Sequence, residues 1–379
     1  MNKIDENSLL LYNRGKSNKK IVLRNSCIAY KSNIHLFDGE VIKDIIFFIN
    51  SIHNKYKGVN IPISFEFEEI KFQDKLTYIF FEIICYILIE YYNHSVYVRF
   101  RSDYSIFTEG IESSPLLLLK TGETQHIKKF VDKYKFDIYK KHYRRILSEN
   151  DMKDERLSKI LDEIRYFLNY FKVTEQCLDE LSEVVVELIG NISEHTNSNC
   201  LIDLDVTSEY NKKEESGVFY GINLSVLNFS ECLFGDLIKN RILNLNQTNN
   251  IRYKNTKNAY DFHRQFFDDT YCEEDFFNIA SFQHKISGNG SKTMTGGTGL
   301  TKLICSLEKR SDTHHCYLIS GNRALWFFHN LLEYNNDYWL GFNEEKDFLN
   351  HLPNRNVICN NSIYMPGTAY NLNFVMKGV

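Results

Sequence analysis

Thr174-Glu-Gln-Cys-Leu178-Asp-Glu-Leu181-Ser-Glu-Val-Val185-Val-Glu187-Leu188-Ile-Gly-Asn191-Ile192-Ser-Glu-His195 is the stretch on which the reading of this chain turns. Leu178, Leu181, Val185, Leu188 and Ile192 recur at spacings of three and four, the buried stripe of an amphipathic helix, and Thr174 suits its N-cap. Glu187, Asn191 and His195 stand at i, i+4 and i+8. Each step turns them by about 40°, so they share one stripe beside the apolar one. A carboxylate, an amide and an imidazole in line can hold a metal-bound phosphate chain; the same residues also suit a helix with a partly exposed polar edge.

About a hundred residues on, Gly296-Gly297-Thr298-Gly299-Leu300-Thr-Lys-Leu-Ile opens another helix with three glycines in four positions. Glycine lets backbone N–H groups come close to an anion, and the helix start adds its positive end, so a phosphate site is the direct physical reading. A flexible loop before an ordinary helix has the same composition. Ser287-Gly-Asn-Gly-Ser-Lys292-Thr lacks the glycine directly before lysine that a Walker A loop needs, and no Gly-x-Gly-x-x-Gly follows an early strand.

The rest of the chain sets the frame. Its 379 residues suffice for two domains, and 43% hydrophobic residues with only 4 prolines is the composition of a packed protein. A formal charge of −4 points to neither nucleic acid nor an acidic membrane surface. Nine cysteines without a Cys-x-x-Cys pair, and a start at Met1-Asn-Lys-Ile-Asp-Glu without a secretory leader, are expected of a cytoplasmic protein. The most apolar run, Leu76 to Tyr92, carries Glu82 and Glu90 and is expected to be a buried helix, not a membrane span.

In the front part, Ile61-Pro-Ile-Ser-Phe-Glu-Phe, then the helix from Leu76, then Ser95-Val-Tyr-Val-Arg-Phe predict a parallel strand, helix, strand crossover. This pattern resembles a STAS domain, the module of anti-anti-sigma factors. Phosphorylatable STAS domains have a serine just after the Asp that opens the helix; here Asp74 is followed by Lys75, with Thr77 two further on. From Gln125 to about Tyr170 the sequence reads as two charged helices, the first crowded with Lys128, Lys129, Lys133, Lys135, Lys140, Lys141, Arg144 and Arg145. They are expected to form a solvated linking face, with His126 and His142 at the surface. Strands are expected near Cys200 to Thr207, Val218 to Leu227, Cys316-Tyr-Leu-Ile, Ala324-Leu-Trp-Phe-Phe and Thr368 to Val375.

Glu187-x-x-x-Asn191-x-x-x-His195 resembles the N box of GHKL (Bergerat-fold) ATPases, its histidine being similar to the anti-sigma serine-kinase branch. Gly296-Gly-Thr-Gly-Leu300 resembles their second glycine box, and Pro366-Gly367-Thr368-Ala-Tyr-Asn-Leu their closing Gly-Thr strand. The likeness runs in order over roughly Thr174 to Val379. It implies an α+β chain: a GHKL α/β sandwich (a mixed sheet with helices on one face) at 173–379, after a smaller STAS-like α/β domain at 1–120 and a helical connector at 121–172. By position it implies Glu187 as general base, Asn191 as Mg²⁺ ligand and His195 as a phosphate-side contact. Gly296, Gly297, Thr298, Gly299 and Leu300 would lie along the phosphates of ATP, Thr368 near the adenine, and Lys292 in a lid over the terminal phosphate. The family's Asp-x-Gly-x-Gly departs here to Asn228-Phe-Ser-Glu-Cys, an acceptor through its side-chain oxygen but without the glycines.

Three functions follow from that likeness. One is an Mg-ATP-dependent switch or ATPase acting on a protein partner or on its own dimerisation. Another is a serine/threonine kinase acting on a STAS-like partner. The third is a non-catalytic module that has kept the fold without the nucleotide.

Overall fold

Residues 4–100, 114–152, 154–195, 198–209, 216–244, 250–287, 299–311 and 316–378 are described by the computed structural model, and they form a mixed α+β protein. The chain divides into two units. Unit 1 takes Met1–Ile146, Leu201–Thr207 and Ser362–Met365; unit 2 takes Leu147–Cys200, Ser208–Asn361 and Pro366–Val379.

Unit 1 begins with α1 (Ser8–Tyr12), β1 (Leu23–Arg24), β2 (Cys27–Ser32), β3 (Leu36–Phe37) and α2 (Gly39–Lys55). It continues with β4 (Ile63–Phe67), β5 (Lys71–Phe72), α3 (Lys75–Glu90) and β6 (Val96–Phe100). One sheet has the order β1-β2-β4-β6, in which β2, β4 and β6 are parallel, Ile63 lying opposite Ile28 on one side and Val96 on the other. The expected crossover is there: β4, α3, β6. Asp38 caps α2 by accepting from the N–H groups of Glu40 and Val41, and Asp74 caps α3 by accepting from the N–H of Thr77, each cap contributing about 1 kcal/mol. The α3 helix is apolar all round because it is covered on every side, and its Glu82 is fully buried.

After α4 (Thr124–Lys135) the expected continuous charged helix is corrected. The chain forms a hairpin of β7 (Phe136–Tyr139) and β8 (His142–Leu147) instead, with Tyr139 opposite His142 and Lys140 at φ 52° in the turn. Lys and Arg recur there at helical spacing, but Asp137, His142, Tyr143 and Arg144 are all buried in the hairpin. Unit 1 is completed by β9 (Cys200–Val206), which lies beside β8.

Unit 2 contains α5 (Asp154–Asn169), α6 (Glu175–His195), β10 (Phe219–Phe229), α7 (Asp236–Leu243) and α8 (Ile251–His263). Then come α9 (Glu273–Ala280), α10 (Gly299–Arg310), β11 (Tyr317–Trp326) and β12 (Ile358–Lys377). As expected, α6 starts directly after Thr174 and buries Leu178, Leu181, Val185, Leu188 and Ile192. In the sheet, β12 lies between β11 and an antiparallel β10. The two strands expected after α10 are one folded-back element: Gly321 has φ 55°, and the N–H of Phe327 returns to the carbonyl of Cys316 at 2.9 Å. Among the described residues no helix is long and apolar enough to cross a membrane.

Candidate functional site

In unit 2 the helix with the polar stripe packs against the helix that follows the glycines. Leu303, Ile304 and Leu307 of α10 are fully buried, and Lys302 Nζ lies 3.1 Å from Glu183 Oε2 while Arg310 pairs with Glu180. Pairing the start of α10 with Glu183 and its end with Glu180 makes the helices antiparallel. Lys302, in the first turn of α10, lines one groove with Glu183 and Glu187 of α6. Glu187 is half-buried and has a polar partner, and Asn191 is half-buried with an Nδ2 that is fully buried and has no hydrogen-bond partner among the described residues. An orphaned amide nitrogen of this kind costs about 1–3 kcal/mol unless a ligand or water satisfies it. His195 ends α6, and its side chain lies outside what is described. Lys292, Gly296, Gly297 and Thr298 also lie outside the described residues.

A second group meets where β10 ends. Asn228 and Thr368 are direct cross-strand partners, both buried, and Phe229 lies opposite Gly367. Asn228 Nδ2 donates to Ser198 Oγ at 3.2 Å, leaving Oδ1 as the acceptor of that amide. Ser198 follows α6 in the chain, so the segment after α6, the end of β10 and the middle of β12 converge here. Gly367 is required by this convergence. Its φ is 106°, and a Cβ would collide with the Asn228 carbonyl oxygen and come 2.8 Å from the Ser230 nitrogen. Gly367→Ala is expected to lower unit 2 stability by about 2–3 kcal/mol, read as an earlier loss of tryptophan fluorescence in denaturant; an unchanged midpoint would contradict the close approach.

Unit 1 holds a cluster that reading the chain in order did not reveal. Lys75 pairs with Asp203 and Asp205, and Arg144 with Asp203 and Glu82. His142 Nε2 lies 3.1 Å from Asp203 Oδ2 and its Nδ1 3.4 Å from Asp137 Oδ2, while Lys133 Nζ is 2.7 Å from Asp137 Oδ1. The Tyr78 hydroxyl donates to Glu82 at 2.7 Å. His142 and Arg144 are thus interior residues, which corrects their expected place on a solvated face. Both pairs, His142 with Arg144 on β8 and Asp203 with Asp205 on β9, are spaced by two, so each strand aims both charges at one face. That alternation was the available signal.

The ligand atoms of His142, Asp203 and Asp205 lie within 4.8 Å of one another, a spacing that suits a metal ion. The charge around them argues otherwise. The carboxylates Glu82, Asp137, Asp203 and Asp205 already meet the cations Lys75, Lys133, His142 and Arg144, with the Lys75 ammonium on both aspartates where an ion would sit. The cluster is balanced by its own side chains.

Burial disfavours the His142 imidazolium, but Asp203, Asp137 and Asp205 outweigh it and raise the pKa from 6.5 to about 9. Burial likewise opposes the Asp203 carboxylate, and Arg144, Lys75 and His142 hold it well below the usual range. The folded His142 pKa lies above the unfolded one. Its contribution, about 3 kcal/mol, is therefore complete below pH 6.5 and lost as pH rises through about 9. Melting of unit 1 is expected to fall across that window and to lose most of the slope in His142→Gln; an equal slope in the variant would assign the effect elsewhere.

Compared with models of protein families, with curated proteins and with solved structures, the chain matches none.

Proposed function

We propose that unit 2 binds ATP with Mg²⁺ in the manner of GHKL ATPases, and that the chain works as a nucleotide-dependent switch on a protein partner or on its own dimerisation. The observation that carries this reading is the meeting of three separate segments: Asn228 opposite Thr368, tied to Ser198 beyond α6, with Gly367 fitting only as glycine. The orphaned Asn191 amide and the packing of α10 against the same helix support the phosphate end.

These residues fit the group chemically. Asn228 Oδ1 accepts from an exocyclic amino group, as the family's aspartate does, while its nitrogen is occupied by Ser198. Asn191 has the hard oxygen that would suit Mg²⁺, and its unpartnered nitrogen would donate to a phosphate oxygen. Glu187, one turn before Asn191, would take a proton from the attacking water or hydroxyl. Bound Mg-ATP would supply the transferable phosphoryl group.

Titration calorimetry tests the reading. The full chain is expected to bind Mg-ATP, and Asn191→Ala to weaken binding by about tenfold, the loss of one metal or charge-assisted contact. No heat with the intact chain would leave a non-catalytic module. A kinase acting on a separate STAS-like protein is the second reading. It is favoured by the parallel β4-α3-β6 crossover of unit 1, in which Lys75 is committed to Asp203 and Asp205 and the Thr77 hydroxyl to Asp74 at 2.9 Å. Labelled phosphate on an added protein, not in water, would establish it.

A further inference from the structure

Between α5 and α6 of unit 2 runs a groove of about 580 Å³, lined by Asp162 and Arg165 on one side and by Asp179, Ser182, Glu183 and Glu187 on the other, with Lys302 at its edge. Its size falls in the range of about 300–1,000 Å³ usual for binding sites. Four carboxylates stand against two cations, and both cations are committed: Arg165 to Asp179 and to Glu175 at 2.7 Å, Lys302 to Glu183 at 3.1 Å. Asp179 and Glu183 are thereby paired, and Asp162 and Glu187 leave the lining with a net negative charge. The carboxylates are not gathered into a metal site, since His142, Asp203 and Asp205 are the one cluster with that spacing among the described residues.

The floor carries an independent signal. Ser182 lines the groove, is 5% exposed, and its hydroxyl has no hydrogen-bond partner among the described residues. A buried serine oxygen without a partner costs about 1–3 kcal/mol, and an N–H donor entering the groove would satisfy it. One turn after the groove residue Asp162 on α5 stands Tyr166, 84% exposed, and Tyr170, 80% exposed, follows just past the helix end. Tyrosines standing this far from the surface are recurrent anchors at protein interfaces, and their ring faces attract cations.

We propose that this groove docks a basic peptide segment of a partner protein, an arginine or lysine head reaching Ser182 between the carboxylates and the aliphatic stem lying along Tyr166. Glu187, the base of the ATP reading, lines the groove as well, but the docking requires no nucleotide and its test uses none, so the two readings fail separately.

The probe is a short fluorescein-labelled peptide of alternating arginine and serine, followed by anisotropy with the full chain at about 150 mM salt, where surface attraction alone is largely screened. Asp162→Asn with Glu183→Gln is expected to weaken binding about tenfold, and Ser182→Ala or Tyr166→Ser about threefold. The control pair Glu344→Gln with Glu345→Gln, exposed and outside the groove, removes the same charge and is expected to leave binding unchanged. Unchanged melting of each variant keeps a folding defect apart from a lost contact. Equal loss in both charge pairs, full affinity in Ser182→Ala and Tyr166→Ser, or no binding of the peptide would overturn the proposal. So would spermine binding in the groove where the peptide does not, which would assign it to small polyamines.

Discussion

Replacing Arg144 with methionine is expected to lower the stability of unit 1 by about 3–5 kcal/mol, the usual cost of leaving a buried carboxylate without its partner. Arg144 is 1% exposed and pairs with Glu82, itself fully buried, as well as with Asp203. Asp203 keeps Lys75 and His142 after the change, so the damage concentrates on Glu82, which retains only the neutral donors Tyr78 and Ser114. Adding Glu82→Gln to Arg144→Met should therefore recover part of the loss, because it removes the stranded charge. The measurement is direct. Both tryptophans, Trp326 and Trp339, belong to unit 2, so loss of far-ultraviolet ellipticity ahead of the fluorescence change isolates unit 1. If Arg144→Met melts with the parent chain, the buried network is not what holds β8 and β9 against α3.

Glu187→Gln is expected to reduce ATP turnover by about 10²–10⁴-fold, the range for loss of a general base, while leaving Mg-ATP affinity within about twofold. The amide keeps the size and hydrogen-bonding capacity of the side chain but cannot accept the proton. Asn191→Ala should act in the opposite manner, on binding first. A Glu187→Gln protein that hydrolyses ATP at the parent rate would remove this residue from the proposed chemistry. Loss of binding instead of turnover would make Glu187 a structural contact of the groove between α5 and α6.

Much of the architecture was legible in local periodicity. The stripe from Leu178 to Ile192 implied α6, the Ile61 to Phe100 pattern implied the β4-α3-β6 crossover, and the glycines before Leu300 implied the start of α10. In α6 the repeat of apolar residues matches a single period over enough turns to specify both the element and its buried face, while the crossover and α10 were announced by apolar runs of strand or helix length and by glycines at a helix start. The stretch from Phe136 to Leu147 misled because its Lys and Arg residues fit a helical spacing while its buried residues fit a strand. Charges were read as a solvated face, which is their ordinary place.

What the tertiary structure alone decided is where those charges go. His142 and Arg144 meet Asp203 and Glu82 across about sixty positions of chain, and nothing near them in sequence announces the pairing. Likewise, Asn228 and Thr368 stand 140 positions apart and become neighbours only through the register of β10 against β12. A sequence states the period and polarity of each element, because these depend on residues within a few positions of one another. Desolvated charge pairs, an orphaned amide at Asn191 and an unsatisfied hydroxyl at Ser182 depend on which distant surfaces close over them, and that is a property of the packed chain.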